Sequence, residues 1–210
     1  MPHPKKTLPN RELGEYGETA IMLPDWITFG LGAGTISALS FPVKGFPKLV
    51  FPCAGEDGKP DGTFLVSHPE VETRGRIVRC PYGDPGDVLW VRERWAPDPD
   101  DDQAWHYLAA RVPAELDGKI KWIKPQAMPR EAARIVLTIE DRSAVRLHEL
   151  GDADAIAHGF AASSGQSPID AFRQAWSDEN PGTPWEDNPW IWRVLVRPGL
   201  PAASEQVAVR

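Results

Sequence analysis

The stretch Cys80-Pro-Tyr-Gly-Asp-Pro-Gly-Asp-Val-Leu-Trp-Val-Arg-Glu-Arg-Trp95 decides how this chain is read. Its first half is turn chemistry. Pro81 and Pro85 fix φ near the turn value, and Gly83 and Gly86 tolerate positive φ. From Val88 the run reads as a strand, whose side chains alternate between two faces. Val88, Trp90, Arg92 and Arg94 then fall on one side, and Leu89, Val91, Glu93 and Trp95 on the other. Such a strand begins apolar on both faces and gains charge at its end, as a barrel strand does when it leaves the core at a site. The alternative is a surface ion pair beside a core tryptophan.

Composition sets the limits around that strand. A chain of 210 residues supports one sizeable core or two small ones. Its 22 prolines are about twice the usual share, so long uninterrupted helices are not expected. Nine tryptophans require a core or a recognition surface to hold them. No apolar run reaches the length of a membrane span, and the first residues lack the apolar centre of a secretion signal. A cytoplasmic protein with reduced Cys53 and Cys80 is the expectation.

The charge is uneven. A net charge of −7 argues against a protein that coats nucleic acid non-specifically. Yet Lys119, Lys121, Lys124, Arg130 and Arg134 face only Glu131 within 119–134, a local +4. From His148 to Trp190, eight carboxylates outnumber Arg173, a local −7. A basic strip on an acidic protein fits a confined site for an anion, although a mixed solvated surface has the same composition.

Strand runs are expected at Arg76–Arg79, Val88–Trp95, Trp105–Ala110, Arg134–Glu140 and Trp190–Arg197. In the last, Trp190, Trp192, Val194 and Val196 share a face. The best helix runs from Pro168 to Glu179, with Ser167 as N-cap and Asp170 at the third position. Ile169, Phe172, Ala175 and Trp176 lie on one face of it, so Trp176 is expected in the core. Asp152–His158 reads as a short helix that Gly159 ends. Residues 1–18 and 198–210 read as flexible tails around one domain at 19–197. The fold class expected is α+β, mainly β, as a small β-barrel with two or three short flanking helices.

The same stretch carries a family resemblance. It resembles the central signature of ASCH-domain proteins of phages and prophages, which belong to the PUA-like superfamily. Three further blocks occur in order: Lys124–Glu140 (KPQAMPREAARIVLTIE), Val145–Gly159 (VRLHELGDADAIAHG) and Phe172–Val196, ending DNPWIWRVLV. The resemblance covers roughly residues 20–197. The resemblance implies a PUA-like barrel and, in one branch, an amidohydrolase that uses a Lys, a Thr and a downstream Glu. Gly32–Leu39 (GAGTISAL) is the best placement for the block that carries the first two. Thr35 and Ser37 keep hydroxyls there, but the Lys position is Gly34, which has no group to hold charge or a proton. Glu93 remains, and it is expected to pair with Arg92 or Arg94.

Other chemistry has little support. His3, His68, His106, His148 and His158 are scattered without ligand spacing, so no metal is expected. Gly30–Gly34 (GLGAG) is glycine-rich but lacks the Gly-Lys-Ser/Thr end of a phosphate loop, and no cofactor is expected. Cys80 lacks a histidine neighbour to activate it and reads as a small buried residue.

These readings converge on binding of a nucleic acid, a nucleotide or a modified base, with RNA favoured as the polymer. Trp26, Thr35, Ser37, Arg92, Glu93 and Trp95 are the candidate ligand residues, with Lys121, Lys124 and Arg130 as a phosphate-contacting strip. Hydrolysis of an N4-acylated cytidine or of RNA in the same cleft, by Glu93 and Thr35, is a second reading. A third is a protein-interaction module, meeting its partner through the acidic C-terminal half.

Overall fold

The computed structural model describes residues 17–45, 47–55, 60–67, 75–101, 104–110, 118, 120–162 and 165–198. The expected tails at 1–16 and 199–210, and Lys119 of the basic strip, lie outside these residues. The described part is mainly β. A five-stranded sheet has the order β1-β6-β9-β10-β2, formed by Glu18–Met22, Val88–Arg92, Val136–Arg146, Trp190–Pro198 and Ala38–Pro42. A second sheet joins β3 (Leu49–Ala54), β4 (Pro60–Ser67) and β5 (Arg76–Arg79), and β7 (Trp95–Pro97) pairs with β8 (Trp105–Tyr107). Three α-helices flank them: α1 (Asp25–Gly32), α2 (Asp152–Ala157) and α3 (Pro168–Glu179).

The expected closed barrel is not what this pairing gives. Among the described residues, β1 and β2 remain the two edges of an open sheet. β1 joins β6 in parallel, whereas the other pairings in that sheet are antiparallel. Glu18, assigned to the N-terminal tail from sequence, is already the first residue of β1, and Pro198 still belongs to β10.

The turn before β6 accounts for the Cys80–Asp87 motif. The buried Asp87 carboxylate accepts hydrogen bonds from the amides of Asp84 and Gly17, 2.9 Å each. It therefore staples its own turn and also holds the start of β1. Gly83, at φ 124°, lies where a β-carbon would stand 2.7 Å from that carboxylate, so no larger residue fits there. Asp84 takes the guanidinium of Arg142 and, at 3.3 Å, that of Arg79, tying β9 and β5 to the turn. Much of the motif is structural, and it positions the strand that follows.

Trp192, Val194 and Val196 enter one core cluster with Leu89, Val91 and Leu137, as the alternation in β10 predicts. Ile191, on the opposite face, packs with Phe172 and Trp176 of α3. Trp90 and Trp192 are 7% and 3% exposed. The helix α3 starts as expected, with Ser167 Oγ accepting from the Asp170 amide at 3.2 Å. Gly159, at φ 93°, follows α2 as its stop.

One expected strand is two. β6 ends at Arg92 and β7 begins at Trp95, so alternation does not survive the Glu93–Arg94 step. Trp95 consequently packs with Trp90, Met128 and Val136, on the face opposite to the one the period assigns. Trp105–Ala110 keeps only its first three residues as strand, and the Arg134–Glu140 run starts at Val136 and continues to Arg146.

Candidate functional site: an arginine face at the end of β6

Where β6 stops, an unusual carboxylate is buried. The side chain of Glu93 has no exposed surface, yet it faces the guanidinium of Arg134 in a two-pronged pair. Arg134 Nε and NH2 donate to Glu93 Oε1 and Oε2, both at 2.9 Å. The pairing expected with Arg92 or Arg94 is therefore made by Arg134, from the segment that enters β9. A planar guanidinium matches the two carboxylate oxygens better than any other side chain. Burial pushes the Glu93 carboxyl above its usual range, and the hydrogen bonds and charge of Arg134 oppose that rise.

This arrangement has a consequence for Arg134. Glu93 occupies Nε and NH2, and the remaining nitrogen, NH1, points toward the end of α1. A β-carbon at Gly32 would stand 3.5 Å from it. The guanidinium also lies over the ring of Tyr107, 4.8 Å from its centroid. Tyr107 donates its hydroxyl to the Ala132 carbonyl at 2.7 Å, and burial raises its pKa to about 12, so it stays neutral. Arg134 is thus fixed from two sides while its side chain remains 30% exposed.

Two further arginines gather on Trp90 nearby. Arg92 lies 4.7 Å from the ring centroid and Arg130 lies 5.7 Å from it. Cation–π contact of this kind holds a guanidinium in place. Arg130 also makes a two-pronged pair with the exposed Glu18 of β1, at 2.8 and 3.1 Å. Two donors, Arg92 Nε and Trp95 Nε1, are buried without a hydrogen-bond partner among the described residues.

The other sequence candidates scatter. Lys121 and Lys124 are exposed, in the segment leading to the short helical turn Pro125–Ala127. Trp95 is 9% exposed and packs in the core, so its ring offers no free face for stacking. Thr35 turns its hydroxyl to the Gly30 carbonyl at 3.1 Å, and Gly34 is open, with nothing within 4 Å of a β-carbon there. Ser37 starts the path into β2, with its amide donating to Ala157 O at 2.8 Å. Trp26 belongs to a different place: it caps an apolar cavity beside Phe160 and donates to Glu179 at 3.2 Å. The single cleft expected from sequence is therefore divided between two regions.

Arg134 is the candidate residue that the sequence places only in the basic strip. It was counted in the basic strip but not as the partner of Glu93, 41 positions away. No local signal marks that pairing, because the burial of Glu93 and the approach of the segment before β9 both come from the tertiary fold. Among the described residues no group of His, Cys, Asp or Glu is arranged to hold a metal. The Cys80 thiol is buried, its pKa raised by desolvation, and no activating base adjoins it. No helix among the described residues is long and apolar enough to cross a membrane. Comparison of the chain with family models, curated proteins and solved structures finds no match.

Proposed function

We propose that this protein is a PUA-like module of ASCH type that binds a nucleic acid, a nucleotide or a modified base through the arginine face. The observation that carries the reading is the use of Glu93. A buried carboxylate that takes two nitrogens of Arg134 leaves the third free of that pair, on a guanidinium that is held in place yet partly exposed. That is the arrangement an anion receptor needs, since the cation is pre-oriented and loses little freedom on binding. Arg92, held on Trp90, adds positive charge, Arg130 is paired with Glu18, and Lys121 and Lys124 would extend the strip along a polymer. The ordered ASCH-like motifs, with β6 and the entry to β9 supplying the arginines, agree with this reading.

Hydrolysis is less well supported. The Glu93 side chain has no exposed surface and faces Arg134 through both oxygens, so it is poorly placed to take a proton from an attacking water. Gly34 stands where the amidohydrolase branch has its Lys. Purified protein is expected to release no acetate from N4-acetylcytidine.

Fluorescence titration with nucleoside monophosphates and with single- and double-stranded oligonucleotides of RNA and DNA tests the binding. Wild type is expected to bind at low salt, and Arg134→Lys to lose most of the affinity, because lysine cannot serve Glu93 and a ligand together. No binding to any of these probes at low salt would overturn the reading.

A further inference from the structure

A cavity of about 60 Å³ lies between α1, β2 and α3, and none of the arginine-face residues lines it. Trp26, Phe160, Phe172 and Trp176 are among its walls, and no lysine or arginine lines it. Glu179 contributes the formal negative charge at its rim, so an anionic ligand such as a nucleotide is disfavoured here. Two polar groups in the wall are hydrogen-bonded to each other: Ser40 Oγ and His158 Nε2, at 2.9 Å.

The direction of that bond follows from the other ring nitrogen. His158 Nδ1 lies 2.7 Å from the backbone carbonyl of Asp154, which can only accept. Nδ1 therefore carries the proton, Nε2 is the acceptor, and the Ser40 hydroxyl donates to it. His158 is 6% exposed, and burial holds its pKa below the usual histidine value, which keeps the ring neutral. A hydroxyl donating to a neutral imidazole, itself oriented by a third group, is the arrangement of an activated nucleophile.

The strand adds a donor. β2 is an edge strand, and Ser37 O and Val43 N bond to β10. Ser40, of opposite parity, is a non-hydrogen-bonded position opposite Arg193, so its own amide points to the free edge. That amide is available to a developing oxyanion on an acyl group attached to Oγ.

We propose that Ser40 and His158 form a nucleophile–base pair that cleaves neutral carboxylic esters with a short apolar acyl chain. Ser40 Oγ attacks the ester carbonyl while its proton passes to His158 Nε2. The carbon–oxygen bond to the alcohol breaks, and the alcohol leaves with that proton. Water then attacks the acyl-serine, its proton goes to Nε2 and returns to Ser40 Oγ, and the acid is released. The rings of Phe160, Phe172 and Trp176 accept the acyl chain.

Full-length protein is tested with p-nitrophenyl butyrate and with an alkyl fluorophosphonate, followed by peptide mass mapping. The expected result is a phosphonyl adduct on Ser40, with p-nitrophenol release that falls about a hundredfold in Ser40→Ala and in His158→Gln. Ser40→Cys is the second variant, since it keeps the size of the site and makes the base visible. Its thiol is expected to be alkylated by iodoacetamide at neutral pH about a hundredfold faster than the partly exposed Cys53. The proposal is overturned if no adduct forms on Ser40 in wild type. It is equally overturned if Ser40→Cys reacts no faster than Cys53, or if turnover is unchanged in Ser40→Ala.

Discussion

The Glu93–Arg134 pair shows how one residue is decided by several opposing effects. Removing a carboxylate from water is costly, and the two hydrogen bonds and the charge of Arg134 offset that cost. Arg134→Met leaves Glu93 buried without its cation, and a loss of about 3–5 kcal/mol is expected from an uncompensated buried charge. Glu93→Gln removes the charge but keeps an acceptor for the guanidinium, so a smaller loss is expected. The pH dependence has a definite sign. A carboxyl raised above its unfolded value favours the folded state below that value, near 4.5, and loses this advantage as pH rises through the folded pKa. Arg134→Met should therefore be most destabilised relative to wild type at neutral pH and recover as pH falls toward 4.5. Denaturant melts across that range check it, and a deficit that does not depend on pH would show that Glu93 is not the source. Sequence reading named Glu93 and its need for an arginine; it chose Arg92 or Arg94 because those were neighbours in the chain. The partner comes from the approach to β9, and only the sheet register shows that β6 and β9 lie side by side.

At the scale of elements, legibility followed the strength of local signals. α3 was readable because its cap, its proline and its apolar face all agree. β10 was readable because its alternation is unbroken over eight residues. β6 was extended too far, since Glu93 and Arg94 keep a strand-like period while the backbone turns between them. α1 was missed altogether. Asp25–Gly32 holds two glycines and β-branched Ile27 and Thr28, a poor helix former by propensity. Gly30 explains why it forms nonetheless. A β-carbon there would stand 2.6 Å from Ile36 Cδ1, so the bare backbone lets the helix pack directly on the chain entering β2. Gly30→Ala gains about 1 kcal/mol of helix propensity but overpacks that contact, at about 1–3 kcal/mol. A net loss of stability is expected, read as a lower melting temperature. A higher one would mean that Ile36 moves aside freely and that packing is not why glycine stands there.

For the whole molecule, the question is how a chain of net charge −7 would hold a polyanion. The arginines of the candidate site come from β6 and from the segment that leads into β9, whereas α2 and α3 carry the carboxylates Asp152, Asp154, Asp170, Asp178 and Glu179. Exposed charges farther apart than about 10 Å are screened at ordinary salt, so binding depends on the charges next to the site more than on the net charge. A local strip can therefore act against the net charge, and its contribution is measurable by salt. Lys121 and Lys124 are exposed in the segment that precedes Arg130 in the chain. If each meets a phosphate, Lys121→Glu with Lys124→Glu should weaken binding alike for every sequence. The slope of log K against log salt should become shallower by about 0.7 per lost contact on single strands, or about 0.9 on duplex. Arg134→Lys should instead lower affinity for a mononucleotide as well as for a polymer, because its contact is with one fixed anion. Equal loss of both ligands in the double lysine variant would mean that the strip acts at the single anion site, and that no polymer path runs along it.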